Sequence, residues 1–466
     1  MTKTADAQGV IAALGCRLGE ALGEAESSRA RFASASVSAP VQDPLATFAG
    51  LGDVDGVYWE LPSEGLAFAA MGCAADLAGS GANRFEGVQG RWQAAALTTV
   101  TRRESGIDAP ALFGVGAFAF DGERAADAVW SSLPRNTWVV PQVVQMHRGG
   151  QQWLQCQVAV SRSGGGSEIG GESLSLAARV LEEAVEGGRE ERPMGGVVLD
   201  YRDDQSEGWW SEAVAAALGE IGRGGLEKVV LARRGSVVAG GTIDVPGLLW
   251  RLRKRFPTAA VFAVRRGDRT FVGASPERLV AVDGERIAAS AVAGTSRPSG
   301  EGDGVEGVSL LDDPKERREH AMVVEAMRSA LGPVCRTLAV PDAPELMVLP
   351  NLQHLYTPLT GTLAGPLSVL EAVALLHPTP AVGGVPAAAA AVAIGEWEPF
   401  DRGWYAGPIG WMDDAGNGEF FVALRSALVE GDRAYVYAGC GLVAGSEAAA
   451  EWNESRLKMG AVLCAL

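Results

Sequence analysis

The stretch Phe271-Val-Gly-Ala-Ser-Pro-Glu-Arg-Leu-Val-Ala-Val-Asp-Gly-Glu-Arg-Ile-Ala-Ala-Ser-Ala-Val292 sets the fold class. Phe271–Ser275 and Arg278–Val282 are short runs of strand-forming residues, separated by Pro276-Glu277. Asp283-Gly284 supplies the positive-φ chemistry of a tight hairpin turn into a third strand, Arg286–Val292. The same rhythm continues outward. Lys228–Arg234 is rich in β-branched residues and reads as a strand, as do Gly407–Met412, Glu419–Val429 and Ala434–Gly439. Between them, 206–222, Asp313–Leu331, Leu367–Leu376 and Glu447–Leu463 read as helices, and Pro386 opens an alanine-rich one. Residues 1–160 read as mixed α/β, with a helix over 8–33 and a buried strand in Ala111–Phe120. The run Ser161–Gly171 is the best loop or linker candidate, followed by a helix at 173–187. Grouped strands with helices between them predict a large antiparallel or mixed sheet packed with helices, an α/β fold of α+β character.

The composition narrows the functional classes. The chain has 466 residues, 47% of them hydrophobic, enough for a large core. With 40 basic and 57 acidic residues its formal charge is −17. Such a chain repels nucleic-acid phosphates and anionic lipid, so neither is expected as a partner. An anionic small molecule must be held by local cations. The six cysteines are scattered without a CxxC pair, as in a cytoplasmic protein with reduced thiols. The four histidines lack zinc-site spacing. The most apolar window, near 372–394, is broken by His377, prolines and glycines and cannot span a membrane.

Several residues have the chemistry of a site. Glu316 and Glu319 on one helix, and Glu451 and Glu454 on another, are each three apart and share a helix face. Two such faces brought together would suit Mg²⁺; taken singly, each is also what a solvated helix surface looks like. Arg425 interrupts an apolar strand whose face carries Phe421, Ala423 and Ala427, leaving room for a carboxylate. Tyr405 offers a phenolic hydrogen bond. Lys228 leads a buried strand, and burial would lower its pKa from about 10.4 toward that of a usable base. Glu277 sits at a strand break and could be a general acid. Gly294-Thr295 and Gly439-Cys440-Gly441 are places where backbone N–H groups could approach a carboxylate, or plain turns.

The order of motifs adds what these residues cannot say singly. Lys228-Val-Val-Leu-Ala-Arg, Ala274-Ser-Pro-Glu-Arg-Leu, Ala293-Gly-Thr, Glu319-His-Ala-Met-Val-Val-Glu325 and His377-Pro-Thr-Pro-Ala-Val-Gly-Gly-Val-Pro386 follow one another in the chain. Gly403-Trp-Tyr-Ala-Gly-Pro, Phe420-Phe-Val-Ala-Leu-Arg425, Ala438-Gly-Cys-Gly-Leu-Val-Ala-Gly445 and Ala450-Glu-Trp-Asn-Glu454 complete the series. This set resembles the chorismate-utilising enzymes, and the loop 377–386 resembles that of their isochorismate synthase branch. The resemblance implies a single large unit whose two related halves pack antiparallel sheets together with helices outside. Residues 1–200 would form the divergent N-terminal half and 201–466 the chorismate-binding catalytic half.

It also implies roles. Glu319 and Glu454 would bind Mg²⁺ directly, with Glu316 and Glu451 acting through water. Tyr405 and Arg425 would hold the enolpyruvyl carboxylate of chorismate, helped by backbone at Gly439 and Gly441. Lys228 would activate water for attack at ring carbon 2, and Glu277 would protonate the hydroxyl leaving carbon 4. Gly294, Thr295, His354 and Lys458 fall on positions that line the pocket. Ammonia-using relatives lack a lysine at the Lys228 position or carry one in the segment here reading Ala291-Val-Ala-Gly-Thr295, so a glutaminase partner is not expected. Nothing in the sequence demands an oligomer, and a monomer is expected. Salicylate synthases tend to have threonine where this chain has Ala381, which favours a reaction that stops at isochorismate. Salicylate synthesis is the alternative; a non-catalytic homologue is disfavoured, because every acid and base is present.

Overall fold

The computed structural model describes residues 2–39, 43–160, 166–186, 199–297 and 309–466. Among these, two large, almost wholly antiparallel sheets face one another. The first, of 13 strands, runs from Leu199–Asp203 through Lys228–Ala239, Arg433–Leu442, Ser426–Glu430, Arg269–Ser275 and Ala260–Arg266. It then continues into Gly56–Leu61 and further strands from the first 160 residues. The second, of 10 strands, holds Gln353–Leu363, Arg286–Ser296, Arg278–Asp283, Gly418–Val422, Pro408–Asp413 and Phe113–Phe118 among others. Each sheet thus takes strands from early and late in the chain.

The inner faces are apolar and aromatic, and they form one continuous core. Trp59 of the first sheet meets Phe421 of the second edge-on at 5.6 Å, and Phe68 meets Phe113 at 5.2 Å, geometries that favour the ring quadrupoles. A second core lies under the outer face of the first sheet, covered by Thr2–Ser28, Pro44–Gly50, Gly166–Glu186 and Val245–Arg255. The second sheet is covered by Pro314–Leu331 and Val369–Leu376. Local chemistry sets these helices. Asp313 accepts from the N–H groups of Lys315 and Glu316, with Pro314 in the first turn. Ser368 and Glu371 form a reciprocal capping box. No helix among the described residues is long and apolar enough to cross a membrane.

The elements that decided the fold class behave as expected, with one difference that matters. The hairpin at Asp283-Gly284 forms, with Asp283 paired to Arg286 and Gly284 at φ +60°. However, Phe271–Ser275 and Arg278–Val282 belong to different sheets, so Pro276-Glu277 is where the chain crosses between them. The predicted single strand Glu419–Val429 is likewise two strands, Gly418–Val422 and Ser426–Glu430, one in each sheet. Arg425 is therefore not on a strand. It sits in the second crossover at φ +49°, a left-handed conformation that a non-glycine residue rarely adopts. The apolar residues on either side of Arg425 give no sign of such a switch, because both sheets demand the same residues. Two smaller corrections follow. Residues 166–171, expected as linker, begin the helix Gly166–Glu186; 161–165 lie outside the described residues. Pro386 is the N-cap of Ala387–Trp397, one position before its first turn.

Candidate active site

The two crossovers bond to each other. Ser275 Oγ donates to the Val422 carbonyl at 2.5 Å, Val422 N to the Glu277 carbonyl at 3.0 Å, and Ala274 N to the Arg425 carbonyl at 3.1 Å. This fixes Glu277 and Arg425 on the wall of one cavity. Gly294, Thr295, Glu319, His354, Ala381 and Tyr405 line it as well, with Gly439, Gly441 and Lys458.

Glu277 is 3% exposed. Burial pushes its carboxyl up to about 8, against the pull of Lys228, Arg425 and Lys458. A carboxylic acid that keeps its proton near neutrality is the form a general acid needs. Arg425 donates from Nη2 to Nε2 of His354 at 2.9 Å. A guanidinium can only donate, so Nε2 accepts and the ring proton lies on Nδ1, which reaches the Gly294 carbonyl at 3.0 Å. Burial first, then the Arg425 and Lys458 charges, holds this imidazole well below its ordinary pKa. His354 therefore orients Arg425 as a neutral acceptor. Tyr405 is buried and stacks on Tyr437 with ring centres 5.2 Å apart, and burial pushes its phenol up to about 12.

Each glutamate pair shares a helix face, as its spacing predicts, the fold brings the two pairs together, and lysines reach all four carboxylates. Lys228 Nζ lies 2.8 Å from Glu319, and Lys458 Nζ lies 2.5 Å from Glu454 while donating to the Gly439 carbonyl at 3.0 Å. Lys315 Nζ bridges the two helices, 3.1 Å from Glu316 and 2.8 Å from Glu451. Thr295 N also donates to Glu316 at 3.0 Å. Lys315 was missed in the sequence; its charge within DPKERREH read only as part of a solvated run. Burial and neighbouring glutamates raise the pKa values of Glu316 and Glu451. An excess of hard, mutually repelling oxygen donors, with ammonium groups standing in as counter-ions, fits a divalent cation such as Mg²⁺. Cys440 Sγ lies with Glu451 and Glu454 oxygens within 4.8 Å. Burial holds that thiol well above its usual pKa, so it stays protonated and offers a hard cation little.

The signature loop is seated from behind. Gly384–Val385 adds a short strand to the edge at Lys228 and Val229, and Val230 N donates to the Gly383 carbonyl at 2.7 Å. This helps bury Lys228, which is 0% exposed. Its Nζ lies against Glu319, which is part of the cavity wall. Arg402, also missed, donates to the carbonyls of Val382 and Val230 at 2.8 Å and pairs with Glu398 at 2.5 Å. Glu398 in turn accepts from Ala232 N at 2.7 Å. The i, i+4 spacing of this glutamate and arginine was the available signal. The pair locks the loop so that Ala381 and Val382 face the cavity.

The family model described as "Chorismate binding enzyme" matches residues 17–466. The salicylate biosynthesis isochorismate synthase of Pseudomonas aeruginosa is 37% identical, covering 96% of this chain and 92% of that protein. The isochorismate synthase MenF of Bacillus subtilis is 35% identical over 77% of this chain and 74% of its own length. Among solved structures, the putative 2,3-dihydroxybenzoate-specific isochorismate synthase DhbC of Bacillus anthracis superposes with a TM-score of 0.69 at 27% identity. That match covers 89% of this chain and 96% of the other. The menaquinone-specific MenF of Escherichia coli shares the fold, with a TM-score of 0.75 at 23% identity over 96% and 99% of the two chains. With the family pattern spanning nearly all of its length, the chain belongs to the chorismate-binding enzymes.

Proposed function

We propose that this enzyme is an isochorismate synthase, converting chorismate to isochorismate with Mg²⁺. The observation that carries the reading is one cavity lined together by Glu277, whose burial favours the protonated carboxyl, by Glu319 of the carboxylate-rich face, and by Arg425 and Tyr405. Glu319 and Glu454 would hold the cation, with Glu316 and Glu451 behind them. When bound, Mg²⁺ supplies charge that neutralises the ring carboxylate of chorismate. Arg425, held by His354, and Tyr405 orient the enolpyruvyl carboxylate. Lys228, acting as the neutral amine, takes a proton from water as the oxygen bonds to ring carbon 2. The ring double bonds shift and the bond from carbon 4 to its hydroxyl breaks. Glu277 gives that hydroxyl a proton, so one water enters and one leaves. Residues 201–466 form the catalytic half in this reading and 1–200 its structural support. The enzyme works in the cytoplasm as a monomer without a glutaminase subunit, and its product enters siderophore or menaquinone biosynthesis.

Ala381 presents only a methyl group to the cavity, which favours release of isochorismate over further elimination. The purified chain with Mg²⁺ and chorismate, without ammonia, is expected to accumulate isochorismate. No turnover would sink the proposal, and equal amounts of pyruvate and salicylate would transfer it to the salicylate synthases.

Gly441 provides a local test. A Cβ there would strike Glu319 Oε1 and approach Lys228 Cε to 2.9 Å. Gly441→Ala is expected to displace both groups and lower kcat/KM by on the order of 100-fold. Steady-state kinetics at saturating Mg²⁺ check this; wild-type kinetics would contradict the placement of Lys228 and Glu319 in the chemistry.

A further inference from the structure

Behind the signature loop lies a second cavity of about 330 Å³, within the range of small-ligand sites. The loop is the partition: Ala381 and Val382 face the active site, whereas Pro378, Gly383 and Gly384 face this cavity. Phe120, Ala391 and Ile394 give it apolar surface, and Arg84, Arg124 and Arg402 line it together with Asp121, Glu123, Glu398 and Asp401.

Arg84 has more charge than folding accounts for. It is only 8% exposed and packs over the Phe85 ring at 4.5 Å. Its Nη2 makes two long bonds, to the Ala119 and Phe120 carbonyls at 3.3 and 3.5 Å, and its buried Nε has no hydrogen-bond partner. Among the described residues no carboxylate lies within ion-pair distance of the Arg84 or Arg124 guanidinium; that of Arg124 donates to the Glu398 carbonyl at 2.6 Å. The acidic neighbours are otherwise engaged or exposed. Glu398 pairs with Arg402 and Asp401 with Arg135. Asp121 Oδ1 accepts from the N–H groups of Glu123 and Arg124, and Glu123 itself is exposed. Asp121, Glu86 and Glu123 act on Arg84 only from beyond ion-pair distance, so an anion that meets this buried guanidinium directly offsets a cost of burial they leave, and a planar fork suits a carboxylate.

We propose that this cavity is a second binding site, for a small organic carboxylate whose anionic end meets Arg84 and Arg124 and whose apolar body lies on Phe120, Ala391 and Ile394. Its wall is the loop that carries Ala381, so the ligand is a regulator of the active site. The proposal does not depend on which reaction that site performs.

Benzoate is the probe, titrated calorimetrically into the full-length protein, with inorganic phosphate and acetate as comparisons. Benzoate is expected to bind saturably, and Arg84→Met to weaken that binding at least tenfold. Arg425→Met, in the active site, should leave it unchanged. Ala391→Phe lies on an exposed helix face and fills the cavity mouth without disturbing the core. It should abolish the same binding, which keeps the test decisive if Arg84→Met fails to fold. Binding lost in Arg425→Met but kept in Ala391→Phe would place benzoate in the active site and overturn the proposal. So would the absence of saturable binding tighter than a Kd of about 10 mM. Phosphate binding as tightly as benzoate, with the same response to Ala391→Phe, would overturn the organic-carboxylate assignment.

Discussion

Glu277→Gln should lower kcat by a factor on the order of 10² to 10⁴, with little change in KM. Glutamine keeps the shape and the hydrogen-bonding edge but has no proton to give. The pH profile makes the test specific. The carboxyl is pushed up to about 8 by burial, and under the proposed mechanism the working form is the protonated one. Wild-type kcat should therefore hold below that pH and fall as the pH rises through about 8. A base at the same position would give the opposite slope. Stability follows with its own sign. The folded-state pKa lies above the ordinary value of 4.5, so the native protein holds this proton more tightly than the unfolded chain. That contribution is complete below about 4.5 and is lost as the pH rises through about 8. The amide of the variant does not ionise. The melting temperature of Glu277→Gln relative to wild type should thus rise between pH 5 and pH 9. An inactive variant that gains relative stability at high pH separates loss of the acid from loss of the fold; unchanged kcat would remove Glu277 from the chemistry.

Much of this site was legible because its residues break local patterns. Glu277 follows a proline between two strands, Arg425 interrupts an apolar run, and the glutamate pairs repeat at helical spacing. Glu277 and Arg425 stand where packing alone would select something else, whereas the glutamate pairs gain meaning only from being two at the same spacing. The sheet-to-sheet crossings at Pro276-Glu277 and Ala423–Arg425 were not legible. Strands on either side of a crossing carry the same apolar residues, because both inner faces share one core. Lys315, Arg402 and Glu398 were hidden for a different reason. Charged residues in helical or turn segments look solvated until tertiary structure supplies their partners, here two carboxylates from different helices and two carbonyls from a strand and a loop. Lys228 shows the limit from the other direction. A strand-end lysine reads equally as one left in water, and its burial and pairing with Glu319 depend on a helix some ninety positions away in the chain.

Glu454→Gln should abolish Mg²⁺-dependent turnover, lowering kcat/KM by on the order of 10³-fold or more at every Mg²⁺ concentration. Burial works to raise this carboxyl, but Lys458, in ion-pair contact at 2.5 Å, holds it below its ordinary pKa. It is therefore ionised across the neutral range and ready to meet a cation. The neutral amide retains oxygen but loses the charge that both Lys458 and the metal require. Glu451→Gln should be milder, about 10- to 100-fold, since in the proposed arrangement Glu451 acts from behind, and its charge is shared with Lys315 at 2.8 Å. Activity alone cannot distinguish a metal ligand from a structural ion pair, so Mn²⁺ binding followed by electron paramagnetic resonance is the deciding measurement. A ligand role predicts weakened Mn²⁺ binding in Glu454→Gln in step with the lost turnover. A purely structural pairing with Lys458 predicts lost turnover with Mn²⁺ affinity intact. A larger loss in Glu451→Gln than in Glu454→Gln would exchange their places around the cation.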